Sequence, residues 1–176
     1  MAAPQRQSAA LEIYLPDEAA TAALAQRLAP LARRGDVIAL YGDLGSGKTS
    51  FARAFVNALP RPGGGATEEE VPSPTFTLAQ VYERAPAPVW HFDLYRVTRA
   101  AEIYELGFEE ALAEGIALIE WPERLGGLLP PERLAIRFAF AGGGAARRAT
   151  LDGGGTWPAR LRSLQERDPA LGGAHA

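Results

Sequence analysis

The sequence predicts a three-layer α/β fold, built on a mixed sheet with a parallel core and antiparallel hairpin strands. Three observations predict it. A glycine-rich stretch, Gly42-Asp43-Leu44-Gly45-Ser46-Gly47-Lys48-Thr49, stands between a strand pattern and a helix pattern. An almost wholly apolar run, Ile116-Ala117-Leu118-Ile119, has the composition of a strand buried on both faces. Two pairs of β-rich segments are joined by short links containing Pro or Gly, the pattern of hairpins.

Taken in order, Met1 to Ala10 is expected to be loose, and Leu11-Glu12-Ile13-Tyr14-Leu15 alternates as a first strand. Pro16-Asp17-Glu18 starts a helix that runs to about Leu31, with Asp17 as N-cap and Leu24, Leu28 and Leu31 as its apolar stripe. Asp36 to Tyr41, entered from Arg33-Arg34-Gly35, reads as a buried strand. After the glycine stretch, Phe51, Phe55 and Leu59 recur on one helical face of Ser50 to Leu59, and Pro60 closes the run. Arg61 to Glu70 is expected to be a flexible polar loop, with Glu68-Glu69-Glu70 in solvent.

Val71-Pro72-Ser73-Pro74-Thr75-Phe76 is stiffer, because its prolines fix φ and exclude helix. Thr77 to Tyr82 and Val89 to Leu94 form the first hairpin, across the link Glu83 to Pro88. Ala100 to Leu106 and Phe108 to Ala113 are expected to be helical. The central strand Ile116 to Ile119 ends in Glu120-Trp121-Pro122. Arg133 to Phe140 and Arg147 to Leu151 flank Gly142-Gly143-Gly144 as the second hairpin. Trp157 to Arg167 is a terminal helix, and Pro169 to Ala176 a tail. The expected organisation is one domain over residues 11–168, with flexible ends at 1–10 and 169–176.

Composition narrows the chemistry. There is no cysteine, which excludes disulfides, thiolate nucleophiles and thiolate zinc sites. Two histidines, His91 and His175, leave little for a histidine-based metal site. No stretch approaches the roughly 18 apolar residues of a membrane span. Met1 to Ala10 lacks the order of a signal peptide, so the expected location is the cytoplasm. The net charge of -3 does not suggest a free-standing nucleic-acid binder.

Of 18 basic residues one is lysine, and that one is Lys48. A surface cation can be arginine; a cation cradled against phosphate favours the compact ammonium on a thin stem. The stretch matches G-x-x-x-x-G-K-[ST] in full, and strand, loop and helix stand in the required order, so the mixed-sheet α/β fold is a P-loop NTPase fold. In such a loop the backbone from Asp43 through Leu44, Gly45, Ser46, Gly47 and Lys48 to Thr49 and Ser50 surrounds an anion, helped by the helix N-terminus. Lys48 then reaches the β- and γ-phosphates, and the Thr49 hydroxyl binds Mg²⁺.

A hydrolase of this type needs carboxylates at strand ends near the metal. Glu120 ends the apolar strand and Asp93 ends Val89 to Phe92; either one can hold Mg²⁺ through its water shell or orient the attacking water. Thr75 lies in the proline-stiffened segment after the flexible loop, which suits a switch that orders on a γ-phosphate. His91 reads as a strand residue with a satisfied ring rather than a base, and Trp121 as packing beside the site.

The glycine stretch, Pro72-Ser73-Pro74-Thr75-Phe76, His91-Phe92-Asp93-Leu94-Tyr95-Arg96 and Ile119-Glu120-Trp121-Pro122-Glu123, in that order, closely resemble the TsaE (YjeE) family, small P-loop ATPases of bacterial tRNA threonylcarbamoyladenosine (t6A) synthesis. The similarity runs from about Leu11 to Phe140. It implies a cytoplasmic protein that binds ATP and Mg²⁺ and acts on a TsaB–TsaD complex to support turnover, meeting tRNA only through that complex. By position it implies that Lys48 binds phosphates, Thr49 and Glu120 take Mg²⁺, Asp93 is needed for hydrolysis, Thr75 belongs to a switch, and Glu18 lies near the base. The chain departs from the family at Ser46, where Ala is frequent, and in the longer loop Gly63 to Glu70. Two other readings of the motif are a P-loop small-molecule kinase, which needs an arginine-bearing lid, and a binding module in which hydrolysis is incidental.

Overall fold

A computed structural model of the chain describes residues 10–65 and 68–172. Ala66 and Thr67 of the expected flexible loop, residues 1–9, and residues 173–176 of the expected tail lie outside the described residues.

The chain runs β1 (Leu11–Leu15), α1 (Glu18–Leu28), β2 (Val37–Tyr41), α2 (Lys48–Ala58), β3 (Ala79–Tyr82), β4 (Val89–Asp93), α3 (Phe108–Glu114), β5 (Ile116–Glu120), β6 (Leu134–Ala141), β7 (Ala146–Gly153) and α4 (Trp157–Arg167). The strands form one sheet in the order β1-β7-β6-β2-β5-β4-β3. β6, β2, β5 and β4 are mutually parallel, while β7 and β1 extend one side and β3 the other by antiparallel pairing. Both expected hairpins are present, and the sheet is mixed in the predicted way.

Burial follows strand position. β5 is buried at every residue, as a parallel strand covered on both faces must be, whereas the outer strands β1 and β3 are mostly exposed or half-buried. One face packs Ile38, Leu40, Ile116 and Leu118 against Leu24 and Leu28 of α1, Phe51 and Phe55 of α2, and Trp157 of α4. The other packs Val37, Phe92, Ala117 and Ile119 against Ile103, Phe108 and Leu125. Helical layers therefore cover both faces, and the alternation along β4 and β5 decides which side chains look toward α2.

The local signals explain the helix ends. The Asp17 carboxylate accepts from the Ala20 N–H at 2.8 Å and caps α1. The first helix ends as α-helix at Leu28 and continues to Leu31 as a 3₁₀ turn, because Pro30 has no N–H to give an α-helical bond. Ala100–Leu106 is likewise 3₁₀ rather than α, and Gly107 separates it from α3.

Three expectations are corrected. β3 begins at Ala79 rather than Thr77, since Thr75 to Thr77 form a turn in which the Leu78 N–H bonds the Pro74 carbonyl at 2.7 Å. Glu69 is not merely a solvated acid: partly exposed, it accepts from the buried Arg84 guanidinium at 2.7 Å and from Arg61 at 3.2 Å, and its backbone pairs with the Asn57 amide. Arg84 holds the Glu69 carboxyl below the ordinary carboxylate range. The segment after Pro169 is not a free tail as far as Gly172; it makes a 3₁₀ turn that puts Leu171, 2% exposed, into the core beside α4. An apolar side chain buried this fully is worth about 2 kcal/mol or more. Leu171→Ala is therefore expected to lower unfolding free energy by about 2 kcal/mol, read from the urea midpoint at unchanged slope. An unmoved midpoint would show that the turn does not dock.

Candidate functional site

Because β2, β4 and β5 are parallel, their carboxyl ends share one edge of the sheet, where α/β sheets bind ligands. The register sets Leu40 beside Glu120 and Glu120 beside Asp93. Alternation puts Val89, His91 and Asp93 of β4 and Ile116, Leu118 and Glu120 of β5 on the face covered by α2. The stacked rings of Phe51 and Phe55, with Phe51 also against Phe138, seat α2 so that its first turn lies over this edge.

The glycine loop connects β2 to α2. At Gly42 a Cβ would lie 2.4 Å from Ser46 Oγ and 2.7 Å from the Phe138 carbonyl, so only glycine lets the loop fold back there. Gly47, with φ 109°, makes the left-handed step into the helix. α2 begins at Lys48, two residues before the expected start.

Lys48 is buried. Its Nζ donates to the carbonyls of Gly42 at 2.5 Å and Asp43 at 2.9 Å and lies 4.2 Å from the centre of the Trp121 ring. Burial pushes this ammonium below its ordinary pKa of 10.5; Glu120, Glu123, Asp93 and Asp43 push the other way. Trp121 is in the left-handed region, with φ 58°, and its ring also meets Tyr95 at 4.8 Å, so it packs beside the site as expected.

Glu120 and Asp93 are both nearly inaccessible. Glu120 Oε1 accepts from the Thr49 hydroxyl at 2.8 Å, and Oε2 lies 2.8 Å from His91 Nε2. The expectation for His91 is met only halfway: Nε2 has a partner and Nδ1 has none. Asp93 Oδ2 accepts from Ser73 at 2.6 Å and Thr75 at 3.3 Å, and Oδ1 from the Tyr95 N–H at 3.1 Å. Thr75 is thus joined to a strand-end carboxylate across the sheet edge, and Ser73 with it.

Leu44, Gly45, Gly47, Lys48, Thr49, Ser50, Thr75, Asp93 and Glu120 line one cleft of about 310 Å³ together with Ser73, Tyr95 and Trp121. Ser46 lies beneath the loop, 1% exposed, and Asp43 contributes its carbonyl to Lys48. Glu18 is not in the cleft. It accepts from Ser50 Oγ at 3.0 Å and lines an adjoining groove of about 950 Å³ between α1 and α2. That groove is larger but is lined by neither the glycines of the Gly42–Thr49 loop nor a strand-end acid, whereas the smaller cleft gathers both. Sequence reasoning missed Ser73 and Arg147, whose guanidinium donates to the Gly45 carbonyl at 3.0 Å from the far hairpin. Two prolines around a hydroxyl were the only local signal for Ser73, and Arg147 had none.

The residues present suit Mg²⁺. The donors at Thr49 and Glu120 are hard oxygens, and among the described residues no cluster of three or more His, Cys, Asp or Glu could cage an ion alone. Mg²⁺ is held in just this way, by one or two protein oxygens with phosphates and water.

A glycine loop that opens a helix under a lone lysine, at the carboxyl edge of a parallel sheet, defines the class of P-loop nucleotide-binding proteins. Within that class the chain belongs to the TsaE family: the family described as "Threonylcarbamoyl adenosine biosynthesis protein TsaE" matches residues 15–149. The tRNA threonylcarbamoyladenosine biosynthesis protein TsaE of Rickettsia felis is 40% identical over 124 residues, covering 70% of each chain. The Bacillus subtilis protein of the same name is 40% identical over 123 residues, 69% of this chain and 73% of its own. The crystal structure of Bacillus subtilis YdiB superposes with a TM-score of 0.71 at 31% identity, over 90% of this chain and 96% of that one. Homologues thus place the chain in t6A biosynthesis.

Two outcomes are expected of the loop. The Ser46 hydroxyl is buried without a partner, a cost of about 1–3 kcal/mol. Ser46→Ala should be neutral or raise stability by about 1 kcal/mol in thermal unfolding; a marked loss would reveal a bond to that hydroxyl. Polyphosphate favours the charged lysine, whereas burial lowers its pKa. Binding therefore takes up a proton above that lowered pKa, and nucleotide affinity, flat at lower pH, should begin to fall before pH 10.5. An affinity that stays flat up to pH 10.5 by calorimetry would contradict this.

Proposed function

We propose that this chain is a Mg²⁺-dependent ATPase, slow alone, that acts in the cytoplasm on a TsaB–TsaD complex and so reaches tRNA only indirectly. One observation carries the reading: the Thr49 hydroxyl meets Glu120 at 2.8 Å inside the cleft that Lys48 and Asp93 also line. When bound, Mg²⁺ would neutralise charge on the β- and γ-phosphates. Thr49 and Glu120 would hold it. Lys48 would exchange the Gly42 and Asp43 carbonyls for phosphate oxygens, a charge-assisted contact stronger than the one it gives up.

Asp93 is the better candidate to orient water. Both acids are engaged on both oxygens, but two of the Asp93 partners are the hydroxyls of Ser73 and Thr75 in the switch candidate, whereas Glu120 is held by Thr49 and the buried His91. Binding of a γ-phosphate would draw Thr75 away and free a lone pair of Asp93 to accept a proton or hold water. Turnover should be slow because, among the described residues, no arginine lines the cleft; Arg147, the arginine at the glycine loop, is engaged with the Gly45 carbonyl. The net charge of -3 suits a protein that leaves the tRNA phosphates to its partners. Among the described residues no helix is long and apolar enough to cross a membrane.

Lys48→Ala, Asp93→Ala and Glu120→Ala should each lower kcat by about 10²-fold or more. In cells lacking the native gene each should leave bulk tRNA short of modified adenosine, and TsaB–TsaD should raise the wild-type rate. Fast hydrolysis without partners would oppose the proposal. Normal modification by the Asp93 and Glu120 variants would favour a binding module, and transfer of γ-phosphate to a metabolite would favour a kinase.

A further inference from the structure

His91 is wholly buried in the middle of β4, in a sheet face otherwise filled by Val89, Leu118 and Ile116. Leucine would pack there without desolvating a polar ring. The imidazole also leaves Nδ1 without a partner, although most buried polar atoms have one. Local rules broken in a core mark functional positions, so the ring's single contact matters. That contact is Glu120 Oε2, at 2.8 Å. A carboxylate accepts and does not donate, so Nε2 carries a proton in this contact.

The two oxygens of Glu120 are thus held by two different groups. Oε2 is tied to a ring that cannot move within the core, and Oε1 faces the Thr49 hydroxyl at 2.8 Å. The register pairs His91 with Leu118 and Asp93 with Glu120, so the ring reaches its acid diagonally, one step inward from the sheet edge. It lies outside the cleft lining and reaches the cleft only through Glu120.

We propose that His91 is a positioning residue for the metal, whose Nε2–H fixes the Glu120 carboxylate so that Oε1 faces the cation beside Thr49. The proposal rests on the Mg²⁺-dependent reading above. Groups that orient a metal-binding carboxylate typically change metal affinity by 10–100-fold. Removing the donor should therefore weaken the metal without weakening Mg²⁺-free nucleotide binding.

The test uses a fluorescent non-hydrolysable ATP analogue, bound by the full chain in EDTA and across a Mg²⁺ titration. His91→Leu should need about tenfold more Mg²⁺ for the half-maximal effect, with EDTA affinity within twofold of wild type. His91→Gln, which keeps a donor, should recover most of the difference. An unchanged Mg²⁺ requirement, or an equal loss with and without Mg²⁺, would overturn the proposal. If the leucine variant does not fold, ¹⁵N spectra of the wild type decide, since the chain has two histidines. The His91 Nε2 signal should shift when Mg²⁺ joins the analogue complex, and a signal that ignores Mg²⁺ would overturn it. A wild type whose binding is indifferent to Mg²⁺ would defeat the ATPase reading itself, a result distinct from wild type and His91→Leu responding alike.

Discussion

The parallel pairing of β5 between β2 and β4 is the constraint on which the site depends. Parallel strands end at the same edge, so three separate segments deliver the glycine loop, Glu120 and Asp93 to one place. Antiparallel pairing of either neighbour would send one of these groups to the opposite end of the sheet. The apolar content of β5 secures the arrangement, because a strand buried at every position is disfavoured at an edge. The phenylalanines of α2 then fix the height of the helix over the sheet, and with it the distance between Thr49 and Glu120.

Electrostatics follows from that convergence. Among the described residues Lys48 is the only cation lining the cleft, and it shares the space with Asp93 and Glu120, while Glu123 adds its field. Each group is satisfied within the chain: the lysine by loop carbonyls, one acid by Thr49 and His91, the other by Ser73, Thr75 and the Tyr95 N–H. The side chains that would meet a nucleotide and its metal are thus already hydrogen-bonded within the chain. For these side chains binding exchanges one hydrogen bond for another, which keeps their own net gain modest.

What could be read from the sequence was what is local. The loop motif, the Asp17 cap, the alternation of the hairpin strands and the four-residue spacing of Phe51 and Phe55 each depend on neighbours in the chain, and each has its expected form. Asp93 and Glu120 were legible because strand ends are visible as the limits of apolar runs. The His91–Glu120 bond was not, because it depends on β4 lying next to β5, across 29 residues of chain that carry no mark of that pairing. Glu69 was illegible for the same reason. Three identical acids stand in a row, and only the position of Arg84 in the folded chain distinguishes the middle one. Leu171 stands alone among small residues, with no period from which burial could be inferred.

The anchoring of Glu69 reaches beyond stability. Upstream, the Glu69 carboxylate, its backbone pair with Asn57 and the buried side chain of Val71 pin the chain to α2 and the core. Downstream, the Leu78 carbonyl accepts from the Asp93 N–H at 3.0 Å and pins it to the sheet. Only Pro72 to Thr77 lies between the two anchors, and two of those residues are prolines. The segment is therefore a short, stiff tether with fixed posts, not a flap that swings over the cleft. It can exchange the partners of Ser73 and Thr75 within reach of Asp93, but it cannot fold across the nucleotide and shut out water.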